Sequence, residues 1–180
     1  GSAYSRQEGL RWIAQIVLSR LVAATTHNAH LAVLHGADVL YVIEERAPGR
    51  PKLVTDVGVR LPAHLTASGL AMLAALPPQQ VSALYPSRAA LVRRHDAGPT
   101  SLTQLRTLLA QARRDGYAQE DGFVTPGFAS VAAPVLDHAG HPGAAVAVTF
   151  PTGEADPAEL AVHVRRSAAQ VSHRIRGVNL

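Results

Sequence analysis

The chain contains no cysteine, which excludes disulfides, thiolate metal sites and cysteine nucleophiles together. Aromatic residues make up only 4% of it, with one Trp, and one Lys stands among its 17 basic residues. The other basic residues are 16 arginines, scattered in pairs such as Arg93-Arg94, Arg113-Arg114 and Arg165-Arg166. No basic run interleaved with aromatics exists to track a phosphate backbone and stack bases. The longest apolar run is the seven residues 70–76, far below the roughly 20 that cross a bilayer as a helix. No basic-then-apolar signal segment opens the chain, and a cytoplasmic location is expected. Phosphate loops of the GxGxxG or GxxxxGK type, HExxH, and a glycine two residues ahead of a candidate serine nucleophile are all missing.

What is present is ordinary for a folded domain. There are 180 residues, 47% hydrophobic and 17% charged, with a net charge of +4. A chain of this size buries roughly 70% of the surface its unfolded form exposes, enough for one core without staples. Residues 1–3 read as an appended scar and residues 4–180 as a single unit, with the chain expected to start inside a longer protein.

Apolar residues at Leu10, Ile13, Ile16, Val17, Leu21 and Ala24 recur at helical spacing and predict a long amphipathic helix over 5–26. Residues 31–34 and 39–45 are β-branched-rich and flank His35-Gly36-Ala37-Asp38, predicting a hairpin. A third extended segment is expected over 52–57, after the Pro48-Gly49-Arg50-Pro51 break. Residues 66–76 have the composition of a buried helix that stops at Pro77-Pro78, and a short helix follows over 79–84. A further helix begins at Ser101 and ends at Asp115-Gly116. Residues 131–136 and 144–150 form a second hairpin, and a closing helix spans 156–176 with Asp156 as its cap and Pro157 in its first turn. Hairpins joined by tight turns imply an antiparallel sheet, so the class is α/β in the α+β sense, an antiparallel or mixed sheet covered by helices.

In the last hairpin Val146, Val148 and Phe150 alternate with Ala145, Ala147 and Thr149, and Val131, Ala133 and Val135 alternate with Ser130, Ala132 and Pro134. Each strand therefore has one bulky face and one small one. The small faces either admit a helix at close range or floor a ligand cavity with polar handles. Glu120 and Asp121, followed by Gly122, form either a solvated turn or an acceptor for a ligand hydroxyl or ammonium, with a raised pKa if desolvated. The nine histidines come without the carboxylates or spacing of a metal site. His27 and His30 are expected at a helix end and His138 and His141 in a turn. No metal and no cofactor are expected. Catalysis by Ser68 or Thr149 requires an imidazole within hydrogen-bond reach.

Four segments, taken together, resemble the effector-binding domain of the IclR family of bacterial transcription regulators. They are Leu31-Ala-Val-Leu-His-Gly-Ala-Asp-Val-Leu-Tyr-Val-Ile-Glu44, Val57-Gly-Val-Arg-Leu-Pro-Ala-His64, Ala112-Arg-Arg-Asp-Gly-Tyr-Ala-Gln-Glu-Asp121 and Pro126-Gly-Phe-Ala-Ser-Val-Ala-Ala-Pro-Val-Leu-Asp137, the last followed by Gly140. The resemblance implies a GAF-like fold, a sheet sandwiched between helices, that senses a small metabolite and is not an enzyme. It further implies self-association to a dimer or tetramer, no membrane partner, and operator DNA contacted only through an N-terminal winged helix-turn-helix that this chain lacks. The implied ligand-binding residues are Leu53, Leu61, Ala67, Ser68, Glu120, Phe128, Ser130, Ala147 and Thr149. Family members often carry a cation after the glycine where this chain has Gly69-Leu70, and many have Leu or Val at the position of Phe128. An organic or aromatic acid is the implied effector class, an oligomerisation platform without a ligand the alternative. The sensor reading requires the small sheet faces to stay unfilled, with room for at least a three-carbon compound.

Overall fold

The computed structural model describes residues 2–53 and 55–178. Helix α1 spans Ser2–Thr25 and leads into strands β1 (Asn28–His35) and β2 (Asp38–Glu45). A short β3 (Arg60–Pro62) follows, then a 3-10 turn (Ala63–Leu65) and helices α2 (Ala67–Ala75) and α3 (Pro78–Leu84). After α4 (Leu102–Asp115) come β4 (Ala118–Asp121), β5 (Phe128–Leu136), β6 (Pro142–Pro151) and α5 (Pro157–Val178). The six strands form one sheet in the order β3-β2-β1-β6-β5-β4, antiparallel at every described pairing.

Alternation along the strands sorts side chains into two cores. Val131, Ala133, Val135, Val146, Val148 and Phe150 pack beneath α1 and α5, whereas Ala132, Ala145 and Ala147 pack beneath α2. The small face thus admits α2 closely, one of the two outcomes its composition allows. Between Leu31 and Ala32 the β1–β2 register slips by one residue. This bulge turns Val39 and Tyr41 toward the α2 core and Ile43 toward the α1 core. Pro134 sits inside β5 beyond the last β4 pairing, Ala118 with Ala132, where its missing N–H breaks no ladder.

Two expectations are corrected. No strand covers 52–57 among the described residues; the third strand lies at Arg60–Pro62. Lys52, Asp56 and Val57 are instead tied together locally, with Asp56 Oδ1 accepting from the Val57 amide at 2.8 Å and Lys52 paired to Asp56 at 3.1 Å. The second correction concerns His30, which is not at a helix end. It lies within β1 and is 2% exposed.

Candidate functional site

The β4, β5 and β6 registers place Glu120 opposite Ser130 and Ser130 opposite Thr149. One cross-strand row on the α2 side of the sheet therefore carries a carboxylate and two hydroxyls. Asn28 of β1 pairs with Thr149, so His30, two residues on, reaches the same row diagonally. Ser130 Oγ and Thr149 Oγ1 lie 2.8 Å apart, and His30 Nε2 is 2.9 Å from Thr149 Oγ1. Burial drives the His30 pKa from 6.5 down to about 4, so the ring is neutral at physiological pH. Burial drives Glu120 the other way, from 4.5 up to about 7, opposed by the Phe123 amide and the Ser130 hydroxyl that donate to it. Once ionised, above about pH 7, Glu120 only accepts, and the chain then runs in one direction. His30 Nε2–H donates to Thr149, Thr149 to Ser130, and Ser130 to the carboxylate. His30 Nδ1 is then a buried acceptor with no partner.

Across from this row stands the start of α2. The Thr66 side chain caps the helix by accepting from the Gly69 amide at 2.8 Å. The Ala67 and Ser68 amides precede any intrahelical acceptor, at the positive end of the helix dipole. Ser68 is 1% exposed and its Oγ has no hydrogen-bond partner. Tyr41, its ring edge-on to His30 at 5.1 Å, completes the wall. Its hydroxyl is held protonated by burial and by the nearby Glu120 charge.

Seven of the nine residues implied by resemblance line this cavity: Leu53, Ala67, Ser68, Glu120, Phe128, Ser130 and Thr149. Two do not. Leu61 pairs with Val39 and is 4% exposed in the core, and Ala147 is fully covered beneath α2. His30, Tyr41, Thr55, Thr66, Val124 and Thr125 line the cavity without having been singled out. Carrying the alternation of Ala32 back two residues places His30 on the small face, a signal the sequence held.

The cavity volume is about 20 Å3, roughly that of a single water. The expected room for a three-carbon compound is therefore absent from this conformation, in which α2 packs on Ala132, Ala145 and Ala147 and Leu53 and Phe128 stand in the cavity wall. Two walls, the loop ending in Leu53 and Thr55 and the β4–β5 connection with Val124 and Thr125, lie outside regular secondary structure. Among the described residues, no three His, Asp or Glu side chains come together as metal ligands do, and no helix is long and apolar enough to cross a membrane.

The molecule is an antiparallel sheet clad by helices on both faces, with a polar cavity under the start of α2. The family model for the C-terminal part of the bacterial transcriptional regulator IclR matches residues 2–173, and the chain belongs to that family. It is 32% identical over 160 residues to the HTH-type transcriptional regulator BhcR of Paracoccus denitrificans, covering 89% of this chain and 57% of that protein. A putative transcriptional regulator from Rhodococcus superposes with a TM-score of 0.86 at 26% identity, over 95% of this chain and 71% of the other. An IclR homologue from Microbacterium hydrocarbonoxydans, solved in complex with 4-hydroxybenzoate, superposes with a TM-score of 0.84 at 26% identity, over 93% and 68%.

Proposed function

We propose that this chain senses a small organic acid in the cavity beneath α2 and transmits its occupancy to a DNA-binding segment elsewhere in the parent protein. The observation that carries this reading is the opposition of two unlike polar ends across one buried space. The α2 amides and the unpartnered Ser68 hydroxyl suit a carboxylate. Glu120, Ser130, Thr149 and His30 suit a hydroxyl, phenol or amine at the other end. A hydroxy acid or phenolic acid matches both, and the Microbacterium homologue's 4-hydroxybenzoate is of that class. The present volume obliges Leu53, Phe128 and the β4–β5 connection to move on binding. In this reading the occupied and closed arrangements differ in those walls, and the ligand favours one of them. Assembly to a dimer or tetramer would carry the change to the DNA-binding segments.

Catalysis is the weaker reading even though His30 lies 2.9 Å from the Thr149 hydroxyl. An imidazole held neutral down to a pKa of about 4 is a feeble general base at neutral pH, and the Thr149 hydroxyl is already engaged by Ser130.

Thermal denaturation with a panel of hydroxy and phenolic acids tests the proposal. A true ligand at 100 times its Kd adds about 2.7 kcal/mol of stability. Ser130→Phe fills the cavity and abolishes that gain while the sedimentation mass stays that of the parent. Silence across the panel transfers support to the platform reading, which the small cavity favours.

A further inference from the structure

A second hollow, of about 630 Å3, opens at the other end of α2 between α4 and α5, within the size range of ligand pockets. Its floor is methyl groups: Ala71, Ala74 and Ala75 from α2, Ala112 from α4, Ala168 and Ala169 from α5. Its rim is cationic, formed by Arg113, Arg165 and Arg176 with His173 beside them, and no carboxylate lines it. None of the three arginines takes part in an ion pair among the described residues.

One of these guanidiniums is held by a backbone carbonyl and another packs over a glycine. Arg113 Nη1 donates to the Ala74 carbonyl at 3.3 Å, in the last turn of α2. Arg165 lies over Gly116, the left-handed cap of α4 at φ 80°, where a Cβ would stand 2.8 Å from Arg165 Nη2 and 2.9 Å from Cζ. Gly116 thus ends the helix and makes room for the cation at the negative end of the α4 dipole. The Ala74 carbonyl orients Arg113 without neutralising it, and neither guanidinium is ion-paired among the described residues, so the fork-shaped donors remain available to an anion.

We propose that this hollow is a second binding site, distinct from the cavity beneath the α2 N-terminus, for an amphipathic organic anion. Its apolar body rests on the alanine floor, and its carboxylate, sulfonate or phosphate is held by Arg165, Arg176 and Arg113. A second copy of the chain is a poorer occupant, since a two-fold contact centred here brings like charges together.

The test uses 8-anilinonaphthalene-1-sulfonate as the probe, read by fluorescence titration and by amide chemical-shift mapping on the isotope-labelled chain. One saturable site is expected, with the largest shifts in residues 71–75, 112–117, 133–136 and 165–176. The double variant R165A/R176A weakens binding at least about tenfold, and Ala75→Phe, which fills the floor, abolishes it. Arg114→Ala, whose side chain instead bonds Gln111, leaves the affinity within about twofold, and Ser130→Phe, in the other cavity, retains the saturable site. Unchanged affinity in R165A/R176A overturns the proposal, as does loss of binding in Ser130→Phe. A change in sedimentation mass of R165A/R176A with undiminished probe binding also overturns it, in favour of a subunit interface.

Discussion

At the residue scale, burial in one cavity pushes Glu120 and His30 in opposite directions, and the two make opposing contributions to stability. Folded Glu120 keeps its proton up to about pH 7, whereas the unfolded chain releases it near the ordinary 4.5. The folded state therefore binds the extra proton in that window, and stability falls as pH rises through it. Folded His30 stays neutral down to about 4, whereas the unfolded chain takes up a proton near 6.5, so stability rises with pH across that window. His64 and His27, also held below their ordinary values chiefly by burial, act in the same sense as His30. Glu120→Gln removes the falling component alone. Urea midpoints measured from about pH 5 to pH 8 are expected to climb more steeply in the variant, by on the order of 1–3 kcal/mol over the range. Parallel profiles in the two proteins would show that Glu120 titrates as an ordinary surface carboxylate. The Ser130 and Thr149 part of this network was legible in the sequence, because strict alternation exposes a hydroxyl among alanines. His30 was legible only by extending the alternation of β1 back from Ala32, and Tyr41 was not, since the bulge that aims it depends on which strands pair.

At the element scale, α2 is a nine-residue helix with eight buried residues, too short to hold itself together by hydrogen bonding alone. The Thr66 cap and the packing beneath it keep it in place. Gly69 sets how closely it can sit, because a Cβ there would lie 2.0 Å from the Ala63 carbonyl oxygen. Gly69→Ala must drive α2 away from the 3-10 turn before it and is expected to cost about 2–4 kcal/mol. The same substitution at Gly9, helical in α1 with nothing within 4 Å of the added Cβ, is expected to gain about 0.5–1 kcal/mol. Chemical denaturation of the two variants reads both signs, and a tolerated Gly69→Ala would mean that α2 has slack. Both hairpins, α1, α4 and α5 could be read from the sequence because their periodicity and punctuation are local. The third strand could not. Residues 52–57 follow a Pro/Gly break and carry Val and Thr, but the ladder is made a few residues later, where the Gly58 amide donates to the Tyr41 carbonyl and the Tyr41 amide to the Val59 carbonyl.

At the scale of the whole molecule, α2 is the only described helix that contributes to both hollows: Ala67 and Ser68 line the small cavity, and Ala71, Ala74 and Ala75 floor the arginine-rimmed one. The sheet beneath is stiffened by continuous pairing, and α1 and α5 pack together on its far face, so α2 is the element that opening of the cavity displaces most directly. A ligand that lifts its N-terminus tilts the alanine floor at its other end. The two sites are then coupled, and coupling of binding free energies is reciprocal. The acid that raises the melting temperature should change the Kd of 8-anilinonaphthalene-1-sulfonate by a factor of about 5 or more, and the probe should change the Kd of the acid by the same factor. Gly69→Ala, which already displaces α2, should reduce that factor even where each ligand alone still binds. Two isothermal titrations, each run with the other ligand saturating, measure both factors. Equal factors above one place α2 between the sites as a two-position element, whereas a factor of one in both directions means that opening of the small cavity is absorbed by Leu53, Phe128 and the β4–β5 connection and goes no further.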